Sequence, residues 1–221
     1  MKGLRVVVVD HTDVGRGRAR PGLGGTDGTS REAIGLTPIW EAGAALYERA
    51  GVADAAESVS TWREALRFAI DAAERTGRPI ASLQAWGHGG FGNMRLGDTR
   101  LDVAALGRAS AIAGELDALR DALTKDALVW LRCCSAFGAP AGQAFAAALA
   151  DRLGARVAGH THVIGFWQSG AHSIAPGERA SWSATEGVAL GAAGEVVGAK
   201  DSSPFAPRTV TALRTKLPAG W

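Results

Sequence analysis

The sequence predicts an α/β fold built on a mainly parallel central sheet, and three features carry that expectation. Leu4 to Val9, Ile80 to Trp86 and the run 127–132 are short apolar stretches of the kind that fill strands buried on both faces. Longer stretches with apolar residues at helical spacing lie between them. Strands alternating with helices imply right-handed crossovers, which leave the strands parallel and put helices on both faces. A chain of 221 residues, 47% hydrophobic and 21% charged, suffices for one well-filled core, so a single domain over 1–221 is expected.

The first strand ends at Asp10. Residues 11–35 are rich in glycine and arginine and read as a long loop, whose tract Arg16, Arg18 and Arg20 is best taken as a solvated stretch. Helices follow at 38–50 (Ile39, Ala42, Leu46) and 58–76 (Trp62, Leu66, Ile70, Ala73), the second capped by Ser60 and closed by Gly77 and Pro79. After the strand Ile80 to Trp86, "MRLGDTRL" reads as a small hairpin turning on Gly97-Asp98. Residues 102–124 are expected to be helical, 127–132 a third strand, 140–153 an alanine-rich helix and 155–165 a fourth strand.

Lys plus Arg total 24 against 22 Asp plus Glu, so no strong field favours nucleic acid or an anionic membrane. The two cysteines are adjacent, Cys133 and Cys134, and cannot form an ordinary structural disulfide with each other, which fits a reducing compartment. The opening apolar run is broken by Asp10, too short for a signal peptide or a membrane span, and a cytoplasmic location follows as the default. No cofactor and no metal is expected. His160 and His162 form a His-x-His, for which hydrogen-bonded core or rim roles are favoured over zinc, and His11 and His172 are unconstrained.

In parallel sheets the reactive groups gather beyond the carboxyl ends of the strands. "SLQAWGHGGFGNMRLGDTRL" sets His88 two residues past the second strand, and "ALVWLRCCSAFG" sets Cys134 two past the third. If those strands are neighbours, imidazole and thiol enter one cleft. The backbone N–H of Gly89, together with that of Cys134, would then cradle a developing oxyanion. Alternation along the strand turns Cys133 away towards packing.

These stretches resemble the cysteine peptidase clan of caspases, metacaspases, legumains and gingipains. That clan has a hydrophobic strand ending in His-Gly and a second one ending two residues before a cysteine, and the caspase histidine lies about 50 residues upstream of the cysteine. Here 46 positions separate His88 from Cys134. "RCCSAFG" is similar to the metacaspase cysteine box, in which the second of two small residues is the nucleophile, and the preference for Cys134 over Cys133 rests on this spacing. A closer resemblance is to caspase-like domains of unknown function in large bacterial surface proteins. They share the histidine-glycine turn, a Leu-Gly hairpin matching Leu96-Gly97, a glycine matching Gly142, and sequence like "GARVAGHTH" at 154–162. Coverage runs from about 80 to 162, and "APGERASW" at 175–182 is loosely similar to a caspase loop lining the substrate cleft. Around the cysteine this chain departs from the caspase signature, with Arg132-Cys133 in place of Gln-Ala before it and Ser135-Ala136 in place of Arg-Gly after it.

The resemblance implies a caspase-like three-layer α/β/α sandwich and a cysteine endopeptidase with a His88/Cys134 dyad, an oxyanion hole from Gly89 and Cys134, and no third residue required. The thiolate would be stabilised by charged His88 and by the N-terminus of the 140–153 helix. In these peptidases the residue two before the nucleophile lines the pocket for the side chain preceding the cut. Here that residue is Arg132, which favours an acidic substrate side chain through a bidentate pair, unless Asp10 reaches the same pocket and neutralises it. The expected partner is a protein or peptide substrate, with room for an activating partner protein. The alternative is a catalytically silent caspase-like protein-interaction module. A serine esterase, suggested by "GHGGFG", is set aside because no G-x-S-x-G elbow occurs.

Overall fold

The structure, a computed structural model, describes residues 3–13 and 35–221; the Arg16, Arg18 and Arg20 tract lies outside the described residues. β1 (Leu4–Asp10) is a run of four valines between Arg5 and Asp10, buried on both sides. α1 (Thr37–Arg49) starts with Pro38 in its first turn, where the ring costs no hydrogen bond.

β2 (Ala55–Val59) is a departure from the expected helix over 58–76. It pairs parallel to β1 at the sheet edge, and its mixed "AAESV" pattern shows why neither period stood out. α2 (Trp62–Thr76) is shorter and capped by Thr61 rather than Ser60. The Thr61 hydroxyl accepts from the Glu64 N–H, while the Glu64 carboxylate accepts from the Ser60 N–H.

β3 (Ile80–Trp86) matches its expected bounds, and then an unanticipated strand, β4 (His88–Gly90), turns off the sheet. It joins β5 (Asn93–Leu96) and β6 (Thr99–Asp102) in a three-stranded antiparallel sheet. Gly97, at φ +56° in the β5–β6 turn, sits so close to the Ser60 carbonyl that a Cβ there would lie 2.3 Å from its oxygen. The hairpin is thereby docked on the main sheet.

Only part of 102–124 is helical, as α3 (Ala113–Ala122). The Asp102 carboxylate accepts from the Ala105 N–H and opens a run of turns instead. β7 (Leu123–Arg132) begins earlier than expected, through a register shift against β3 that loops out the polar residues before Ala127. α4 (Ala139–Leu153) follows, then β8 (Arg156–His160), which is shorter than the expected 155–165. The remaining strands are β9 (Trp167–Gln168), β10 (Ala171–Ile174), β11 (Val188–Leu190), β12 (Val196–Ala199) and β13 (Val210–Thr211).

The protein is therefore mixed α/β, with a six-stranded central sheet in the order β10-β8-β7-β3-β1-β2, parallel except for the antiparallel edge strand β10. Alternation divides its two faces. Val6, Val8, Leu83, Ala85, Val129 and Leu131 share one core with residues of α2, α3 and α4, whereas Val7, Val9 and Trp86 pack with Ala44 and Tyr47 of α1. On the α1 face, Trp130 is covered by Val210, Leu217 and Trp221 from the C-terminal segment. Among the described residues no helix is long and apolar enough to cross a membrane.

Candidate active site

β3 and β7 are adjacent and in register up to Trp86 opposite Arg132. Past that rung both chains leave the sheet, one into β4 at His88 and the other through Cys133 and Cys134 towards α4. Ser135 takes a left-handed φ of 49°, and its N–H is held by the His162 carbonyl at 2.8 Å. The two departing backbones touch. A Cβ on Gly89 would lie 2.5 Å from the Cys134 carbonyl oxygen and 2.6 Å from the Cys133 Sγ, so only glycine admits this approach.

His88 is half-buried and fixed from two sides. Its Nε2 lies 2.9 Å from Asp13 Oδ2, and its ring meets Trp40 edge-on at 5.2 Å between centroids. Asp13 is itself anchored, because its carboxylate accepts from the Leu36 N–H and its carbonyl from the Thr37 N–H. Cys134 is half-buried, with Sγ 3.9 Å from the Ile164 carbonyl oxygen. Cys133 is 1% exposed within the core of the α2–α4 face, where burial pushes its thiol well above the usual range.

Residues 47–173 match the family described as Domain of unknown function (DUF4347). The chain belongs to this family. No curated protein and no solved structure matches it. The DUF4347 match takes in His88, Gly89, Arg132 and Cys134, and leaves out Asp10, Asp13 and the C-terminal segment.

Arg132, two residues before Cys134, is 3% exposed and lies between two indoles, its Cζ 5.1 Å from the Trp86 ring centroid and 4.5 Å from that of Trp130. It donates to Tyr47 Oη at 2.7 Å, to Gln168 Oε1 at 2.8 and 3.1 Å, to Gln84 Oε1 at 3.3 Å, and to the carbonyls of Ala212 and Thr211 at 2.8 and 3.4 Å. These acceptors are a phenol oxygen, side-chain amide oxygens and backbone carbonyls. Among the described residues no carboxylate pairs with it, and burial lowers its pKa from the ordinary value.

The alternative expectation of an Arg132–Asp10 pair is corrected by strand parity. Val9 is in register with Trp86 and Trp86 with Arg132, so these three side chains share the α1 face and Asp10 belongs to the opposite one. There the buried Asp10 carboxylate accepts from the N–H and hydroxyl of Thr12, each at 2.8 Å, and from the Gly97 N–H at 3.2 Å. Asp10 thus ties the hairpin to β1 and does not reach the Arg132 pocket.

His160 is buried. Its Nδ1 faces the Ser169 carbonyl and its Nε2 accepts from the Trp130 indole N–H, and burial, with a smaller push from Arg132, lowers its pKa to about 3. His172 is not unconstrained, since its Nε2 lies 2.6 Å from Glu186 Oε1 and its Nδ1 accepts from Arg208. No group of three or more His, Cys, Asp or Glu among the described residues is arranged to hold a metal.

Sequence reasoning missed Asp13, Trp40, Tyr47, Gln84 and Gln168. Only Asp13 left a readable signal, an acidic residue three past Asp10 at a strand tip in "VVVVDHTD".

Proposed function

We propose that this DUF4347 protein is a cysteine endopeptidase of the caspase-like clan, its sheet and four helices forming a caspase-like three-layer α/β/α sandwich. The observation that carries this reading is the meeting of two strand ends: the His88–Gly89 backbone lies against Cys133–Cys134, and His88 is backed by the Asp13 carboxylate. The Cys134 thiolate attacks a peptide carbonyl carbon, and its electron pair forms the C–S bond. The carbonyl oxygen gathers negative charge, for which the N–H groups of Gly89 and Cys134 are the donors. When the C–N bond breaks, His88 gives its proton to the departing amine and a thioester remains. Water attacks the thioester, His88 takes a proton from that water, and the carboxylic acid leaves as the thiolate reforms. Asp13 holds the imidazole and offsets its charge while it is protonated. Arg132 provides the cationic floor for an acidic side chain before the scissile bond. A cytoplasmic location, where thiols stay reduced, is part of the same reading.

Labelling with a library of acyloxymethyl ketone peptides, read by intact mass, tests it. One adduct on Cys134, lost in Cys134→Ala and His88→Ala, is expected; an unlabelled Cys134 across the library overturns the peptidase reading. A second reading, a catalytically silent interaction module dependent on a partner protein, is favoured by one observation: Arg132 is wholly covered by residues 211–212, Tyr47 and Gln168. Absence of labelling together with capture of an acidic peptide would select it.

A further inference from the structure

Beside the cysteine runs a short extended segment whose edge is already taken. Ile164, whose carbonyl faces Cys134 Sγ, is followed closely by β9, and β13 pairs antiparallel to β9 with Val210 opposite Gln168 and Thr211 opposite Trp167. The Ala212 N–H extends this ladder by donating to the Phe166 carbonyl at 2.8 Å. An extended segment that adds to an open strand edge is a general mode of peptide capture, with main-chain bonds supplying the affinity.

The same segment fills the cationic pocket. The carbonyls of Thr211 and Ala212 accept from Arg132, Tyr47 Oη lies 3.1 Å from the Arg214 carbonyl oxygen and 3.3 Å from that of Ala212, and the Gln84 amide donates to the Thr215 carbonyl. Every one of these contacts uses the backbone of the segment, while Leu213 points outward at 62% exposure. Any extended peptide offers the same carbonyls. The segment's own side-chain anchors lie at its two ends, where Val210 and Leu217 pack at Trp130. A buried guanidinium with no carboxylate among its acceptors gains more from a carboxylate than from a carbonyl, because the opposite charge and the two oxygens match its planar fork.

We infer that residues 211–215 are an intramolecular strap occupying the groove that an acidic peptide enters, and that the strap withdraws when such a peptide binds. The inference rests on the peptidase reading for the identity of the groove, but it is tested by binding, independently of turnover. Trp167 and Thr211 are opposite one another, and the neighbouring Phe166–Ala212 position carries the ladder bond, so the pair suits a disulfide. In the double variant Trp167→Cys, Thr211→Cys, oxidation pins the strap and reduction frees it. Anisotropy of a fluorescein-tagged tetrapeptide ending in aspartic acid should show affinity at least about tenfold higher in the reduced form. Equal affinity in the two forms, or no binding in either, overturns the strap.

Tyr47→Phe gives a second arm should the double variant fail to fold, since it removes the hydroxyl that faces two strap carbonyls. Faster amide exchange over 211–215 with tighter peptide binding supports the strap; faster exchange with unchanged binding overturns it. If the ketone library leaves Cys134 unlabelled while reduction still tightens peptide binding, the peptidase reading fails and the strap stands.

Discussion

His88 Nε2 and Asp13 Oδ2 are 2.9 Å apart, so the tips of β3 and β1 supply an imidazole and the carboxylate that orients it. The resemblance to the cysteine peptidases requires no third residue. Asp13→Asn keeps the shape but withdraws the negative charge, and a carboxylate behind a catalytic imidazole both selects its tautomer and stabilises its charged form. Because Asp13 is only half-buried, the effect should be smaller than at a fully buried carboxylate. The saturating rate of Cys134 alkylation by an acyloxymethyl ketone should fall about tenfold to a hundredfold, with the half-saturating concentration nearly unchanged. Asp13→Glu should recover part of the loss; a change confined to half-saturation would make Asp13 a substrate contact instead.

The two cysteines separate by environment. Cys134→Ala should abolish labelling with little change in thermal stability, since its side chain is half-buried at the end of the strand. Cys133→Ala should keep the label and cost about 1 kcal/mol, because its sulfur fills core space against Gly89. A label on Cys133 in the wild type would shift the nucleophile by one residue.

Asp10 and Arg132 face opposite sides of the sheet, and their substitutions should be separable. Asp10→Asn should leave any preference for acidic peptides untouched while lowering stability by about 1–3 kcal/mol, the loss expected when a buried carboxylate holding three hydrogen bonds becomes an amide. Arg132→Lys should weaken acidic selectivity, since an ammonium reproduces neither the planar fork nor the stacking between Trp86 and Trp130. A peptide-library profile that favours Arg or Lys in the wild type would remove Arg132 from the role of specificity determinant.

What was legible in the sequence follows from how completely each element is buried. β1, β3 and α4 were read nearly to their ends because apolar side chains on both faces, or on one stripe, leave an unbroken pattern. β2 escaped because an edge strand with half-exposed residues carries no clean period, and β4 because three residues around two glycines carry none at all. The strand-end placement of His88 and Cys134 needed only two apolar runs and a count. Asp13, Tyr47 and Gln168 reach the site from separate loops and elements across tertiary distances, and one sequence gives no local signal for such convergence. The error over Asp10 has a different origin: both residues sit at strand tips, but the register that assigns them to opposite faces exists only once the strands are paired.

His160 gives the protein a defined acid sensitivity. Unfolded, its imidazole titrates near pH 6.5; folded, burial lowers its pKa to about 3, outweighing the Ser169 carbonyl, which favours the charged ring, while the Trp130 N–H donates to the neutral one. Between those values the unfolded chain binds the extra proton, so the contribution is full above pH 6.5 and is lost progressively as pH falls towards 3. At pH 5 the expected loss is on the order of 2 kcal/mol, or a few degrees in Tm for a chain of this size. In His160→Gln the amide N–H can still reach Ser169 and its oxygen can still accept from Trp130, but nothing titrates. The variant should therefore be less stable than the wild type at pH 7.5 and should lose less on acidification, so that the two melting curves converge towards pH 5. Parallel falls in Tm for the two proteins would shift the acid sensitivity to other groups, with the His172–Glu186 pair as the next to replace.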